Sequence, residues 1–167
     1  MLELETERLE LRRLTLHDAP FILELVAHPT FVANIGDRGV RDLTTARHYL
    51  EQGPLASYAE HGFGLWHVAR KSDGASIGMC GLLKREHLPH ADIGYALLPA
   101  YWSQGFAREA AVAVLAHARQ RYGLARILAV VSPGNEASIR VLEKSGMRFS
   151  RMLAWPGDRD VRLYEMV

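Results

Sequence analysis

Cysteine is nearly absent. Cys80 is the only one among 167 residues, so no intrachain disulfide can form, and a reducing compartment is the matching expectation. No stretch approaches the ~18 consecutive apolar residues of a membrane-spanning helix. Met1 to Arg13 alternates charges where a secretory signal would carry an apolar segment. Charge of one sign is also lacking: the formal net charge is +1, which gives no general basic field for nucleic acid and no acidic tail. Repeats and low-complexity linkers are missing. What these absences leave is a cytoplasmic protein with neither nucleic acid nor membrane as a partner. Its residues 1–167 are long enough to form one domain with a real core.

Signatures of several chemistries are missing too. Gly62-x-Gly64 lacks the third glycine of a dinucleotide fingerprint and follows no strand. No Gly-x-x-x-x-Gly-Lys-Ser/Thr segment offers a nucleoside-triphosphate loop, and no Gly-x-Ser-x-Gly elbow offers a hydrolase nucleophile. His87-x-x-His90 encloses Leu88-Pro89 and has no cysteine or clustered acid to complete a metal site, so no metal is expected. Cys80 stands in an apolar strand and reads as a core residue.

Periodicity supplies the elements. Leu9, Leu11 and Leu14 alternate with charge as a half-buried strand, which puts Arg8, Arg12 and Arg13 on its solvent side. Thr15 and Asp18 form a capping box for a helix through about Ala27, ended by His28-Pro29. Phe31 to Arg41 reads as a loop. A second helix spans about Thr44 to Glu60, interrupted at Gly53-Pro54. Phe63–Arg70 and Ser76–Leu83 are strands around the Ser72-Asp73-Gly74 turn, and a further strand covers about Ala91 to Leu98. A helix lasts to Tyr122 with Gly123 as its stop, Ile127–Val131 is a buried strand, and Asn135 to Ser145 is a helix. Phe149–Leu153 and Val161–Met166 close the chain as a hairpin around Trp155-Pro156-Gly157-Asp158. The order describes an α/β fold with a mixed, mostly antiparallel central sheet flanked by helices.

The most informative segment is Tyr101-Trp102-Ser103-Gln104-Gly105-Phe106-Ala107-Arg108-Glu109-Ala110. It is a strand end, a tight turn and a helix start. A helix start presents unpaired N–H groups and the positive end of the dipole, and so binds anions, phosphates above all. Gly105 permits close backbone approach, and Ala107 adds almost no bulk. Asn135-Glu136-Ala137-Ser138 opens the later helix, where Asn135 can cap it or hydrogen-bond a ligand.

Together the two segments, with the opening Thr6-Glu7-Arg8-Leu9-Glu10-Leu11-Arg12, resemble the GCN5-related N-acetyltransferase (GNAT) family and its RimJ/RimL-like branch. The resemblance covers almost the whole chain and implies the GNAT-like acyl-CoA N-acyltransferase fold, with acetyl-CoA as co-substrate. It implies that the pyrophosphate of CoA lies on the turn formed by Gln104, Gly105, Phe106, Ala107 and Arg108. Pantetheine would pair with backbone near Leu97 and Leu98, and Asn135 and Ser138 would flank the arm. Trp102 occupies a position where the wider family has Gln or Arg. Many members carry a tyrosine four residues beyond the Ser138 position as general acid; here that residue is Leu142, so the role is unfilled or passes to Ser138. Bases in the family often lie on or before the strand that starts near Ala91, which makes Asp92 the catalytic candidate ahead of Glu86, His87 and His90.

The implied reaction is direct attack of an amine on acetyl-CoA in one ternary complex. At pH 7 a lysine-type amine is neutral about one time in 2,500, an α-amine about one time in ten, a difference of ~3 kcal/mol in the help required. Without an evident strong base, the acceptor is expected to be an α-amine such as a protein or peptide N-terminus, or else a small-molecule amine of low pKa. The protein would act as a monomer or homodimer. The competing readings are a non-catalytic acyl-CoA binding or sensing domain and a nucleotide-binding module.

Overall fold

The computed structural model describes residues 1–157 and 159–167; Asp158, expected in the last hairpin turn, lies outside them. Eight strands form one sheet: β1 (Leu2–Glu5), β2 (Leu9–Arg13), β3 (Leu65–Arg70), β4 (Ser76–Leu83), β5 (Asp92–Leu97), β6 (Ile127–Val131), β7 (Arg148–Trp155) and β8 (Arg159–Met166). Their order is β1-β2-β3-β4-β5-β6-β8-β7. Every neighbouring pair is antiparallel except β5 with β6. The expected mixed, mostly antiparallel sheet is therefore present. The helices are α1 (Ala19–Val26), α2 (Pro29–Asn34), α3 (Leu43–Leu50), α4 (Ala56–His61), α5 (Phe106–Tyr122) and α6 (Glu136–Lys144). None is long and apolar enough to cross a membrane among the described residues.

Alternation along β5 divides the core between the two faces of the sheet. Ile93, Tyr95 and Leu97 join the α5 side with Phe106, Ala110, Ala111, Val114 and Ala118. Ala96 and Leu98 join the other side with Ile22, Leu25, Ala46 and Leu50 of α1 and α3. The small residues on one stripe of α5 let the helix lie close against β4 and β5.

Four local expectations need correction. Thr15 and Asp18 do form the capping box, but on a short 3₁₀ turn, Leu16–Asp18, that precedes α1. The first helix does stop before His28-Pro29, but the expected Phe31–Arg41 loop begins as helix: Pro29 is the first residue of α2, where its missing N–H costs nothing, and the His28 side chain caps it. Gly53-Pro54 does not break the second helix. The chain widens into a π turn over Glu51–Leu55 and runs on into α4, because the wider turn accommodates a residue with no N–H to donate. The arginines near the N-terminus are not free in solvent. Arg12 forms a fork with Asp18 at 2.9 and 3.0 Å, Arg13 donates to the Gly62 carbonyl at 3.1 Å, and Arg8 is tied to Glu109 at 2.7 Å.

Candidate active site

The site begins where two strands part. β5 and β6 are in register only at Asp92 opposite Leu128, where the Leu128 N–H donates to the Ala91 carbonyl at 2.9 Å. Beyond that pair they diverge, and the opening leads into a cavity of about 910 Å³. Residues of α1–α4 line it from one face of the sheet and residues of α5 and α6 from the other, so the cavity passes through the sheet.

On the open edge of β5, few peptide groups are spent. The Leu97 carbonyl there accepts the Trp102 indole N–H at 2.8 Å, whereas the Leu98 N–H points the other way and donates to the Ile77 carbonyl of β4 at 2.9 Å. Trp102 thus supports the backbone. By strand alternation, the Leu97 N–H faces the gap, and no β6 residue is in register with it. Leu98, expected beside Leu97 in the site, does not line the cavity: its N–H is committed to β4 and its side chain packs into the core with α1 and α3.

At one mouth of the cavity lies the turn before α5. Gly105 takes φ +82°, and Ser103 takes φ +60°, the only positive φ of a non-glycine among the described residues. Two left-handed residues curl the chain tightly, and Ser103 holds its conformation at a cost of ~1–3 kcal/mol. Gly105 supplies no side-chain cap, so the first N–H groups of α5, at Phe106, Ala107 and Arg108, point out of the helix end unpaired. The Phe106 side chain itself is buried in the core, and the Gln104 amide turns back to the Ala100 carbonyl at 3.0 Å. Phe106 therefore offers the cavity its backbone rather than its side chain, and Gln104, expected in the turn's binding set, does not line the cavity.

Arg8 stands over this turn. It lies 4.2 Å above the Phe106 ring, and its NH1 donates to the Gln104 carbonyl at 3.1 Å. A Cβ at Gly105 would come 3.3 Å from its NH2. Glu109 holds Arg8 in place, accepting from its backbone N–H at 2.9 Å, from its Nε and from the Thr6 hydroxyl. Burial pushes the Glu109 carboxyl up, but these bonds outweigh it and keep it below the ordinary range. Pattern reading did not find Arg8, because its partners lie about a hundred residues away.

Across the gap, Asn135 caps α6 by accepting the Ser138 N–H at 3.3 Å. The Ser138 hydroxyl lies 2.6 Å from the Tyr95 hydroxyl, which also donates to the Ser138 carbonyl at 3.1 Å. Leu142 is buried and carries no phenol, but a phenol is present: Tyr95 delivers it from β5. Burial raises its pKa further than the bond to Ser138 lowers it, so Tyr95 keeps its proton at neutral pH.

Asp92 is placed differently from the expectation of a base facing substrate. It is fully buried and does not line the cavity. Its Oδ2 lies 3.2 Å from Arg85 NH2, and Arg85 is the residue that reaches the cavity. Burial pushes the carboxyl up to about 6 despite the guanidinium beside it. Glu86, His87 and His90 do not line the cavity either, and His87 packs edge-on against Trp155 at 4.5 Å. Among the described residues, no Asp or Glu lines the cavity at all. Cys80 is fully buried and its thiol is pushed far up by desolvation, which fits the core role.

This architecture has close relatives. An uncharacterised N-acetyltransferase of Bacillus subtilis, YoaA, is 34% identical over 147 residues, covering 87% of this chain and 82% of the relative. A crystal structure of an acetyltransferase from Agrobacterium tumefaciens superposes with a TM-score of 0.83 at 27% identity, over 98% of this chain and 93% of that one. The fold also matches RimL, a ribosomal L7/L12 α-N-protein acetyltransferase solved with coenzyme A, with a TM-score of 0.82 at 17% identity over 100% and 98% of the two chains. The family model for the acetyltransferase (GNAT) domain matches residues 8–148, and the chain belongs to that family.

Proposed function

We propose that the chain is an acetyl-CoA-dependent N-acetyltransferase in which an amine attacks directly, within one ternary complex formed across the β5–β6 gap. The observation that carries this reading is the divergence of the two strands beside an uncapped helix start. The residues present fit the group. The N–H groups of Gly105, Phe106, Ala107 and Arg108 would hold the pyrophosphate, and Gly105 leaves room for it. Arg8, Arg108, Arg140 and Lys144 supply positive charge around that mouth. Leu97 would pair with the pantetheine arm, with Asn135 and Ser138 flanking it, while Leu98 would hold Leu97 from the β4 side. Acetyl-CoA supplies the activated acetyl group as a thioester.

The remaining steps belong to the chain. The Leu97 N–H is the free donor at the open edge, placed to polarise a carbonyl oxygen. The hydrogen-bonded hydroxyls of Tyr95 and Ser138 would together give the departing thiolate its proton, the role the sequence left unfilled or to Ser138. Asp92 does not reach the cavity, and its proposed part is to hold Arg85 in place. No carboxylate lines the cavity among the described residues, and of the two imidazoles that do, His28 is bonded to Thr30 and His61 lies 3.7 Å from Glu60, so the amine would arrive as its free base or lose its proton to water or to one of these rings. That favours an α-amine, such as a protein or peptide N-terminus, in keeping with the RimJ/RimL-like branch. No metal is needed at any step.

The test is release of CoA thiol from acetyl-CoA against a panel of peptides and small amines, with and without EDTA. Amine-dependent release unaffected by EDTA is the expected result. Tight acetyl-CoA binding with no release for any amine would instead favour the binding-domain alternative.

A further inference from the structure

The far end of the cavity has a charge of its own. On the α1–α4 side of the sheet its lining includes Arg38, Tyr49, Lys84, Arg85 and Arg159. Two of these cations are already committed: Arg85 to Asp92 at 3.2 Å, and Lys84 to the Leu88 carbonyl at 3.1 Å. Arg38 has no carboxylate partner among the described residues. It is close enough to Tyr49 that it and Arg85 both favour the ionised phenol electrostatically, although burial still pushes that phenol up to about 12. Arg38, Arg85 and Tyr49 line the same cavity, and Arg85 joins it to the last hairpin by lying 5.3 Å over the Trp155 ring. Arg159, opposite Trp155 in that hairpin, adds another cation.

Asp92 offsets Arg85 alone, from outside the cavity, and no Asp or Glu lines the space among the described residues; the remaining cations in a half-enclosed space attract anions and repel cations more strongly than they would in open water. The phosphates of acetyl-CoA do not explain them, since the Gly105 turn, Arg108 and α6 lie toward the other mouth. A polyamine finds no acid here among the described residues. Resting on the acetyl-transfer reading above, we propose that the acceptor is an amine that carries a carboxylate on the same molecule, held by Arg38 and the Tyr49 hydroxyl with Arg159 close by. Arginine suits this because its planar fork matches a carboxylate with two parallel hydrogen bonds. A free amino acid and a peptide whose second residue is acidic share that chemistry.

Matched pairs test it: L-alanine against alaninamide, and the amidated tetrapeptides Ser-Asp-Ala-Ala against Ser-Asn-Ala-Ala, with spermidine as the polycation. Transfer rates and calorimetric binding to the CoA-loaded protein are measured for each, and repeated with Arg38→Gln. With rates expressed per neutral amine, because the amine of L-alanine is more basic than that of alaninamide, the carboxylate member of at least one pair should exceed its neutral twin about tenfold in kcat/KM, mostly through KM, and should bind correspondingly tighter. Which pair responds tells a free amino acid from a peptide. Arg38→Gln should bring the ratio close to one while leaving the melting temperature unchanged. Transfer that proceeds equally well to neutral twins, or best to spermidine, overturns the proposal and leaves the acetyltransferase reading intact. Preferential binding of the carboxylate members without any transfer supports the anion site and overturns the catalytic reading instead.

Discussion

The Tyr95 and Ser138 hydroxyls stand 2.6 Å apart, one from strand β5 and the other from the first turn of α6. The pair closes the gap between β5 and α6 with two protic groups at the place where the cavity crosses the sheet. Neither group has a charge to neutralise, and burial keeps Tyr95 protonated, so the pair is a proton store rather than a base.

If the pair acts as a unit, its members are not additive. Tyr95→Phe and Ser138→Ala should each lower kcat by about 10²-fold with little change in acetyl-CoA affinity, and the double variant should be no worse than the poorer single. Stability should fall by only about 1 kcal/mol in either, the worth of one hydrogen bond. Losses that multiply in the double variant would mean that the two hydroxyls serve separate purposes.

Gly105 carries the second prediction. Gly105→Val forces a branched residue into the left-handed region at φ +82° and brings a side chain toward Arg8. The strain should cost roughly 1–2 kcal/mol of stability, while acetyl-CoA affinity should fall by more than a hundredfold because phosphate can no longer approach the backbone. Calorimetry beside thermal unfolding separates the two effects. A collapse of the melting temperature with normal binding by the remaining folded protein would make Gly105 a purely structural residue.

The pH dependence of stability hides two opposing groups. Asp92 is held at about 6 by burial, and an unfolded aspartate ionises near 3.9. Between these values the unfolded chain binds fewer protons at this site than the folded one, so stability falls as pH rises from about 4 to 6. His67 is lowered to about 4, chiefly by burial, with Arg12 adding to it, and an unfolded histidine titrates near 6.5. There the unfolded chain binds more protons, so stability rises with pH over about 4 to 6.5. Each effect is on the order of 3 kcal/mol, and they nearly cancel. Asp92→Asn should therefore show a melting temperature that climbs with pH across this window, and His67→Gln one that drops. Thermal unfolding from about pH 4 to 7 reads both slopes, and flat profiles for both variants would contradict the assignment.

Local chemistry in the sequence was enough to place the turn at Gly105, the Asn135 cap and the alternation of β5, because each depends on neighbours a few residues away. Periodicity gave the succession of elements along the chain from β2 onward, but not the short edge strand β1 or the order of the strands in the sheet. Three features were not legible. Tyr95 replaces the absent phenol at Leu142 through a contact spanning 43 residues, and nothing near Tyr95 in the chain marks it. Arg8 looks like any exposed strand residue until Glu109 draws it over the turn. Asp92, chosen for its position before the open strand, has its side chain sealed beneath Arg85, and pattern gives a strand's face without the depth of a particular residue. Pro29 does end α1 and Gly53-Pro54 does interrupt the second helix, but pattern did not show that Pro29 also starts a helix or that the interruption is a π turn.

Direct transfer across the β5–β6 gap is the central claim, and initial-rate kinetics with acetyl-CoA and an α-amine peptide varied together test it most directly. The account predicts CoA release that requires the amine, matched by acetylated peptide in the mass spectrum, with reciprocal plots that intersect. Parallel plots would indicate an acetylated enzyme, and release independent of any amine would contradict transfer altogether.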